Sequence, residues 1–367
     1  MNDDTSTCEE PFTEWSRPSG SYHAHWDCFS GAAGDMMLAA CVDASDNGPA
    51  LLTHIQRCIE LGLPELRGEF SLEMKRVWKS EMGSIAANYV TVNSRYKHAP
   101  APVPTRTLPE ESFAQHSHDH SHTHNGEEES YNHHHSKCHL HYHTHAQDND
   151  TSVDQETRDG SRSHSHNHSS DNHSHDHEHD TAGPLRNLPQ IRGMLLDAST
   201  QFIPVWVRDH AIDAFTELAE AEAMTHGACS PDTVLFHEVG AIDSIVDTVG
   251  ILLALDCLSV RTVSCSRLPL GEGTVWTAHG LLPVPAPATL RLLLDMPTCP
   301  GPPGITGELV TPTAAALLRV LAKSSKSKVA GRPPCFTIRK VGIGAGMKEF
   351  AKHANIVRLM IGDSIIS

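Results

Sequence analysis

From His23 to Phe29 the chain alternates and then runs apolar, turns through SGAAG, and takes up helical spacing from Asp35 to Asp43 and again from Leu51 to Leu61, stopping at Gly62. A period near two, a glycine turn and a period near 3.6 predict a strand, a tight connection and two helices. Phe70–Val77 and Tyr89–Asn93 then read as strands. From Pro100 to Gly183 the periodicity disappears into Pro, Ser, His and Asp. Such a segment cannot bury enough apolar area to offset the entropy of ordering it, so a disordered insertion is expected. The pattern resumes with helices from about Leu188 to Ser199 and from Trp206 to His226, the second closed by Gly227. Thr233–Phe236 is a short strand candidate, and Asp243–Leu258 is apolar on most sides, which predicts a buried helix. Arg261–Arg267 reads as a strand, PVPAPATLRLLLDM as the start of a helix with Pro287 in its first turn, and Thr311–Leu321 as a helix with Thr311 as cap. Phe336–Gly342 and Asn355–Ile361 close the chain as strands.

This order predicts an α/β fold of the mixed α+β kind, a layered sheet with helices and a long His-rich insertion. The expected divisions are a flexible N-terminus over 1–22, a first part of the α/β domain over 23–99, the insertion over 100–184, the remainder of the domain over 185–362 and a tail over 363–367.

Charge sharpens the picture of the insertion. Of the 28 His, 19 lie between His116 and His179, and Glu110–Asp180 holds 15 acidic against 3 basic residues, which accounts for 12 of the 17 excess negative charges. The other 296 residues are near balance at −5 and contain no Lys/Arg run. That balance argues against nucleic acid as a partner and leaves cations or a small ligand. The richest apolar run, Val249–Leu258, is ten residues long, too short for a bilayer, and MNDDTSTCEE carries neither the basic nor the apolar part of a secretory signal. The ten Cys include no CxxC pair, so reduced thiols and a cytoplasmic location are expected, with no membrane partner.

Five segments carry candidate chemistry. In HWDCFSGAAGDMM, Ser30, Gly31 and Gly34 form a turn before a helix, where free N–H groups and the helix dipole can receive a phosphate, and Asp27 and Asp35 flank it. The alternative is a tight connection with Asp35 complementing the dipole. In FHEVGAIDSIVDTVG, His237 and Glu238 precede Gly240, while Asp243 and Asp247 stand one helical turn apart on one face. One imidazole with several carboxylates suits nickel(II) or another divalent first-row ion, although Asp243 is also a natural N-cap and His237 could be a loop histidine. His279 beside Gly280, ahead of a Pro-rich stretch, could be a rigidly held ligand or base, or part of a loop without chemistry. Glu308, Thr311 and Thr313 sit at another helix start, as a cap or a second anion site, and VGIGAGMK offers a weak glycine signal near Lys348.

The insertion alternates imidazole with Ser or Asp. Its first run holds His116, His118, His120, His122 and His124; its second holds His133, His134, His135, His139, His141, His143 and His145. Its third holds His164, His166, His168, His173, His175, His177 and His179. Neutral imidazoles at this density read as weak, multisite ligands for nickel, zinc or copper, without selectivity, the alternative being a purely solvating linker.

DCFSGAAGDMMLAA, FHEVGAIDSIVDTVG, GTVWTAHGLLPVPAPATLRLL and GELVTPTAAALL together resemble the LarC family, the nickel insertion proteins of nickel-pincer cofactor biosynthesis, from about His25 to Gly362. The resemblance implies insertion of nickel(II) into pyridinium-3,5-bisthiocarboxylic acid mononucleotide, giving two nickel–sulfur bonds and one nickel–carbon bond, with CTP and Mg or Mn. It further implies that the Ser30–Gly34 turn takes the mononucleotide phosphate and that His237 and nearby carboxylates hold nickel. His279 is the first choice and Asp35 the second as the base that removes the ring proton. A separate CTP-binding domain and a homo-oligomer are implied as partners, since family chains continue beyond the equivalent of LMIGD. Two other readings stand beside this one: a non-catalytic nickel store or metallochaperone acting through the His tract, and a metal-dependent phosphohydrolase using the glycine turn and carboxylates.

Overall fold

The computed structural model describes residues 12–80, 84–96, 185–228, 230–236, 242–277, 280–325, 331–350 and 352–364. The first alternating run forms β1 (Tyr22–Asp27), and the glycine turn delivers the chain into α1 (Gly34–Ala44) and α2 (Gly48–Gly62). Asn47 caps α2 by accepting from the Ala50 N–H, and Pro49 occupies its first turn, where no donor is lost. β2 (Phe70–Lys79) and β3 (Ile85–Ser94) pair antiparallel along their whole length. After the insertion come β4 (Arg186–Asn187), α3 (Leu188–Asp197), α4 (Val205–His226), β5 (Leu235–Phe236) and α5 (Ile242–Cys257). β6 (Val260–Cys265), β7 (Leu268–Leu270), β8 (Thr274–Thr277), β9 (Gly280–Pro283), α6 (Pro287–Leu292) and β10 (Thr298–Pro300) follow. α7 (Pro312–Ser324), β11 (Phe336–Ala345) and β12 (Ile356–Ser364) complete the described chain.

Six strands make one mixed sheet in the order β2-β3-β11-β12-β1-β6. β1 sits between an antiparallel neighbour, β12, and a parallel one, β6, so the sheet joins strands from both sides of the insertion. The fold is thus the mixed α/β arrangement that the periodicities predict. α5 buries 13 of its 16 residues, as its all-round apolar pattern requires. Its buried Asp256 is compensated by Arg17 at 2.6 Å and Arg261 at 3.1 Å.

α1 lies almost in contact with β11, and this sets the position of everything at its N-terminus. A Cβ at Gly342 would stand 1.9 Å from the Ala40 carbonyl oxygen, and one at Gly344 would stand 1.9 Å from that of Met36. Both obstacles are backbone, so neither can swing aside. Gly344→Ala is expected to destabilise the fold by about 3 kcal/mol, because an added methyl in a close-packed layer forces backbone to move. Chemical denaturation checks this, and an unchanged midpoint would refute the close packing.

Near the start of the described chain, Phe12 packs edge-on against Phe202 with centroids 5.0 Å apart, and Ser259 Oγ donates to the Pro18 carbonyl at 2.8 Å. Three sequence expectations change. The first strand ends at Asp27 rather than Phe29, because the turn begins at Cys28. Asp243 lies in the first turn of α5 rather than at its cap. The β8–β9 hairpin and the short strands β4, β7 and β10 were not foreseen, since pieces of two to four residues carry no period. Among the described residues no helix is long and apolar enough to cross a membrane.

Candidate functional site

Where α1 begins, the sheet opens into a cavity of about 490 Å3. Ser30, Asp35 and Met36 reach it from the turn and α1; Tyr89 and Thr91 from β3; Asp243 and Asp247 from α5; Glu308 and Thr311 from the loop before α7; and Lys348 and Asn355 from the β11–β12 connection. The turn and the two α5 aspartates are more than 200 residues apart in sequence, yet the fold places them on one wall.

The glycines of the turn serve this approach. A Cβ on Gly34 would stand 2.3 Å from Asp247 Oδ2, so only glycine admits that carboxylate against the start of α1. Gly31 has φ +116°, a backbone conformation that L side chains rarely adopt, and its missing Cβ leaves room for the Leu309 carbonyl. The Gly31 N–H donates to the Cys28 carbonyl at 2.8 Å and the Ala32 N–H to that of Leu309 at 2.9 Å. The Met36 N–H donates to Asp35 Oδ1 at 2.8 Å. Ser30 Oγ donates to the Ala354 carbonyl at 2.6 Å and accepts from His353 Nε2 at 2.6 Å. These donors are engaged within the protein, and they hold the turn against Leu309, Ala354 and His353.

Burial and mutual repulsion dominate the electrostatics. Burial raises Asp35 from 3.8 to about 6, against the partial relief of backbone N–H donors. Burial also lifts Asp247 well above the carboxylate range, and the negative charges of Asp35 and Asp243 add to it. Asp247 Oδ1 is shielded from solvent without a hydrogen-bond partner. An unpaired, desolvated carboxylate oxygen is costly unless something cationic meets it. Among the described residues, Lys348 alone supplies an ammonium or guanidinium to the cavity wall, and its Nζ donates to the Glu308 carbonyl at 2.9 Å.

Other predicted residues go elsewhere. Asp27 is ion-paired with Arg358, whose Nε donates to Asp27 Oδ2 at 2.9 Å, and it does not line the cavity. Thr311 caps α7 by accepting from the Ala314 N–H and also lines the cavity, whereas Thr313 is buried in α7 and does not. His237, Glu238, His279 and the nineteen histidines from His116 to His179 lie outside the described residues. Among the described residues no group of three or more His, Cys, Asp or Glu side chains is gathered to hold a metal ion by itself. Buried His23 and His25 both bond to Ser264 Oγ, and burial lowers His25 to about 4, which keeps it neutral.

A second cavity, of about 500 Å3, shares Glu308 with the first. Its wall includes Trp276, Phe236, Leu282, Glu222 and His226, and Glu222 Oε2 lies 3.3 Å from His226 Nε2. Sequence reasoning singled out none of these five. Glu308 and Lys348 were noticed only as neighbours of a helix start and a glycine run.

Comparison with known proteins agrees with this picture. A family model described as "Nickel insertion protein" matches residues 24–366. A protein of Rippkaea orientalis named "Putative nickel insertion protein" is 44% identical over 179 residues, which is 49% of this chain and 40% of the relative. Proteins of the same name from Myxococcus xanthus and Pelobacter propionicus are 44% identical over 181 residues and 49% identical over 171, covering 43% and 40% of their own lengths. The match thus spans less than half the length of these relatives. No solved structure matches the chain. With a family model running through almost all of its described sheet and both cavities, the chain belongs to the nickel insertion protein family.

Proposed function

We propose that this chain receives nickel(II) and inserts it into pyridinium-3,5-bisthiocarboxylic acid mononucleotide, in a CTP-linked reaction for which the nucleotide site lies in another domain or chain. The observation that carries this reading is the Asp35, Asp243 and Asp247 wall, with a solvent-shielded Asp247 oxygen facing no hydrogen-bond partner. Four carboxylates, Glu308 among them, against one lysine in the described wall attract a divalent cation. The two soft substrate sulfurs supply the binding that pulls nickel away from hard carboxylate oxygens.

Insertion breaks one ring C–H bond. The carbon keeps the electron pair and bonds to nickel, each thiocarboxylate sulfur donates a pair to the same ion, and the proton needs an acceptor. Asp35 lines the cavity and is held by the Met36 N–H, so we assign it that proton; a carboxylate near 6 is a stronger base than an exposed one. A triphosphate needs several cations or free N–H donors, and Lys348 is the one lysine or arginine among the described residues of the two cavity walls, so we place CTP in another domain or chain.

The test is anaerobic nickel incorporation by the chain with CTP and Mg or Mn, with and without the C-terminal part of a relative added in trans. Metallated product in either arm supports the reading. No product in both arms, despite tight nickel binding, would remove it in favour of storage.

A further inference from the structure

We propose that the thioether of Met36 selects nickel over magnesium and manganese in the cavity beside α1; the inference rests on the reading of its acidic wall as the place that receives the ion. Among the described residues, that wall holds carboxylates, hydroxyls, an amide and a lysine but no histidine or cysteine, and its sulfur comes from Met36 and Met347. Oxygen donors of this kind suit magnesium and manganese as well as nickel, and magnesium is by far the more abundant ion in living cells. The carboxylates thus supply attraction without discrimination. A thioether is neutral, polarizable and soft, so a hard ion gains nothing from it, whereas nickel(II), of borderline softness, does. The mixed set also disfavours a fully soft ion such as copper(I), which gains from sulfur and little from carboxylates.

Geometry separates the two methionines. Met36 lies in the first turn of α1, and helical side chains lean toward the helix N-terminus, where the cavity opens. Its residue is 3% exposed, and a Cβ on Gly346 would stand 2.8 Å from its Sδ and 2.5 Å from Asn355 Nδ2. The space left by the missing Cβ of Gly346 therefore seats the sulfur. Gly346 is itself held, its N–H donating to the Asn355 carbonyl at 3.0 Å, and it lines the cavity with Met36. Gly34, against which Asp247 packs, belongs to the same helical turn as Met36, so a soft sulfur and a shielded hard oxygen flank one helix start. Met347 is 75% exposed, and fixing its thioether on an ion would cost rotamer freedom that Met36 has already given up in folding.

Competition between manganese(II) and nickel(II) on the full chain tests this without turnover. Bound manganese is measured by EPR, the relevant site being the one that Asp247→Asn removes. Nickel is added by dialysis at fixed free concentration, so that uptake by the histidine-rich tract does not alter it. Met36→Leu preserves the volume of the side chain and is expected to bind manganese as wild type does, while needing about tenfold more nickel to displace half of it. Met347→Leu should need no more nickel than wild type. In the wild-type chain with carbon-13 methionine methyl groups, the Met36 resonance should shift with cadmium(II), a soft diamagnetic ion, and stay in place with magnesium. An unchanged nickel requirement in Met36→Leu, a parallel loss of manganese, an equal effect in Met347→Leu, or a Met36 methyl group unmoved by cadmium would overturn the assignment. If no manganese site depends on Asp247, the reading of the wall falls and this inference with it; if the site exists but Met36 confers no nickel preference, this inference falls alone.

Discussion

Asp247→Asn is expected to lower nickel transfer by about 100-fold while making the metal-free protein more stable at neutral and alkaline pH. The two effects have one cause. Asp247 packs against Gly34 with a solvent-shielded oxygen that has no hydrogen-bond partner, and Asp35 and Asp243 add negative charge nearby. Its folded-state pKa lies above its unfolded one, as does that of Asp35, raised to about 6. Such groups bind more protons when folded, so the stability they contribute is complete below about pH 4, where both states are protonated, and falls as pH rises through the folded values. The wild-type protein without metal should therefore lose stability from about pH 4 through pH 6 and above. Asparagine keeps the shape and removes the titration at 247. At pH 8 the variant should be more stable by about 2 kcal/mol, a typical cost of a buried unpaired acceptor, and at pH 4 the two should be close. Thermal melts in chelator at the two pH values measure this. A variant less stable than wild type at pH 8 would show that the carboxylate has a structural partner. Nickel should reverse the order by stabilising wild type more, because a ligand that binds only the folded state adds to its stability.

Deleting 110–180 is expected to remove most of the nickel that the chain binds while leaving insertion intact at ample nickel. The tract holds 19 of 28 histidines, whereas Asp35, Asp243, Asp247 and Glu308 line the described cavity beside α1. Imidazole ligands must be neutral, so tract-bound nickel should be released as pH falls below about 6.5, the unperturbed histidine value. Metal content after dialysis, measured against pH, reports the tract; product formation at saturating nickel reports the cavities. Loss of insertion even at saturating nickel would place function in the tract and favour the storage reading. Retained insertion with a higher nickel requirement would define the tract as a supply that raises local metal concentration.

The glycine turn was legible as a sharp strand-to-helix connection, but its purpose was not. In sequence Gly34 looks like a donor to a phosphate, because a glycine before a helix leaves N–H groups open. In the folded protein it is the space that Asp247 needs, and that fact depends on α5 packing across α1. Asp243 and Asp247 were correctly placed on one helical face, and both reach the cavity, because a spacing of four residues is local geometry. Asp27 was grouped with them only by proximity in sequence. β1 carries it to Arg358, which neutralises it away from the cavity.

Local pattern therefore determined the helices, the longer strands, the mixed α/β class, the acidic His-rich insertion and the resemblance to nickel insertion proteins, because each is written in contiguous periods or motifs. Tertiary structure alone decided the strand order, the pairing of β1 with β12 and β6, and the meeting of Asp35, Asp243 and Asp247 beside Glu308 and Lys348. It also decided the aromatic wall around Trp276. The reason is physical: a period reports which face of a segment is buried, whereas a site is made where several buried faces leave a gap, and that gap belongs to no single segment.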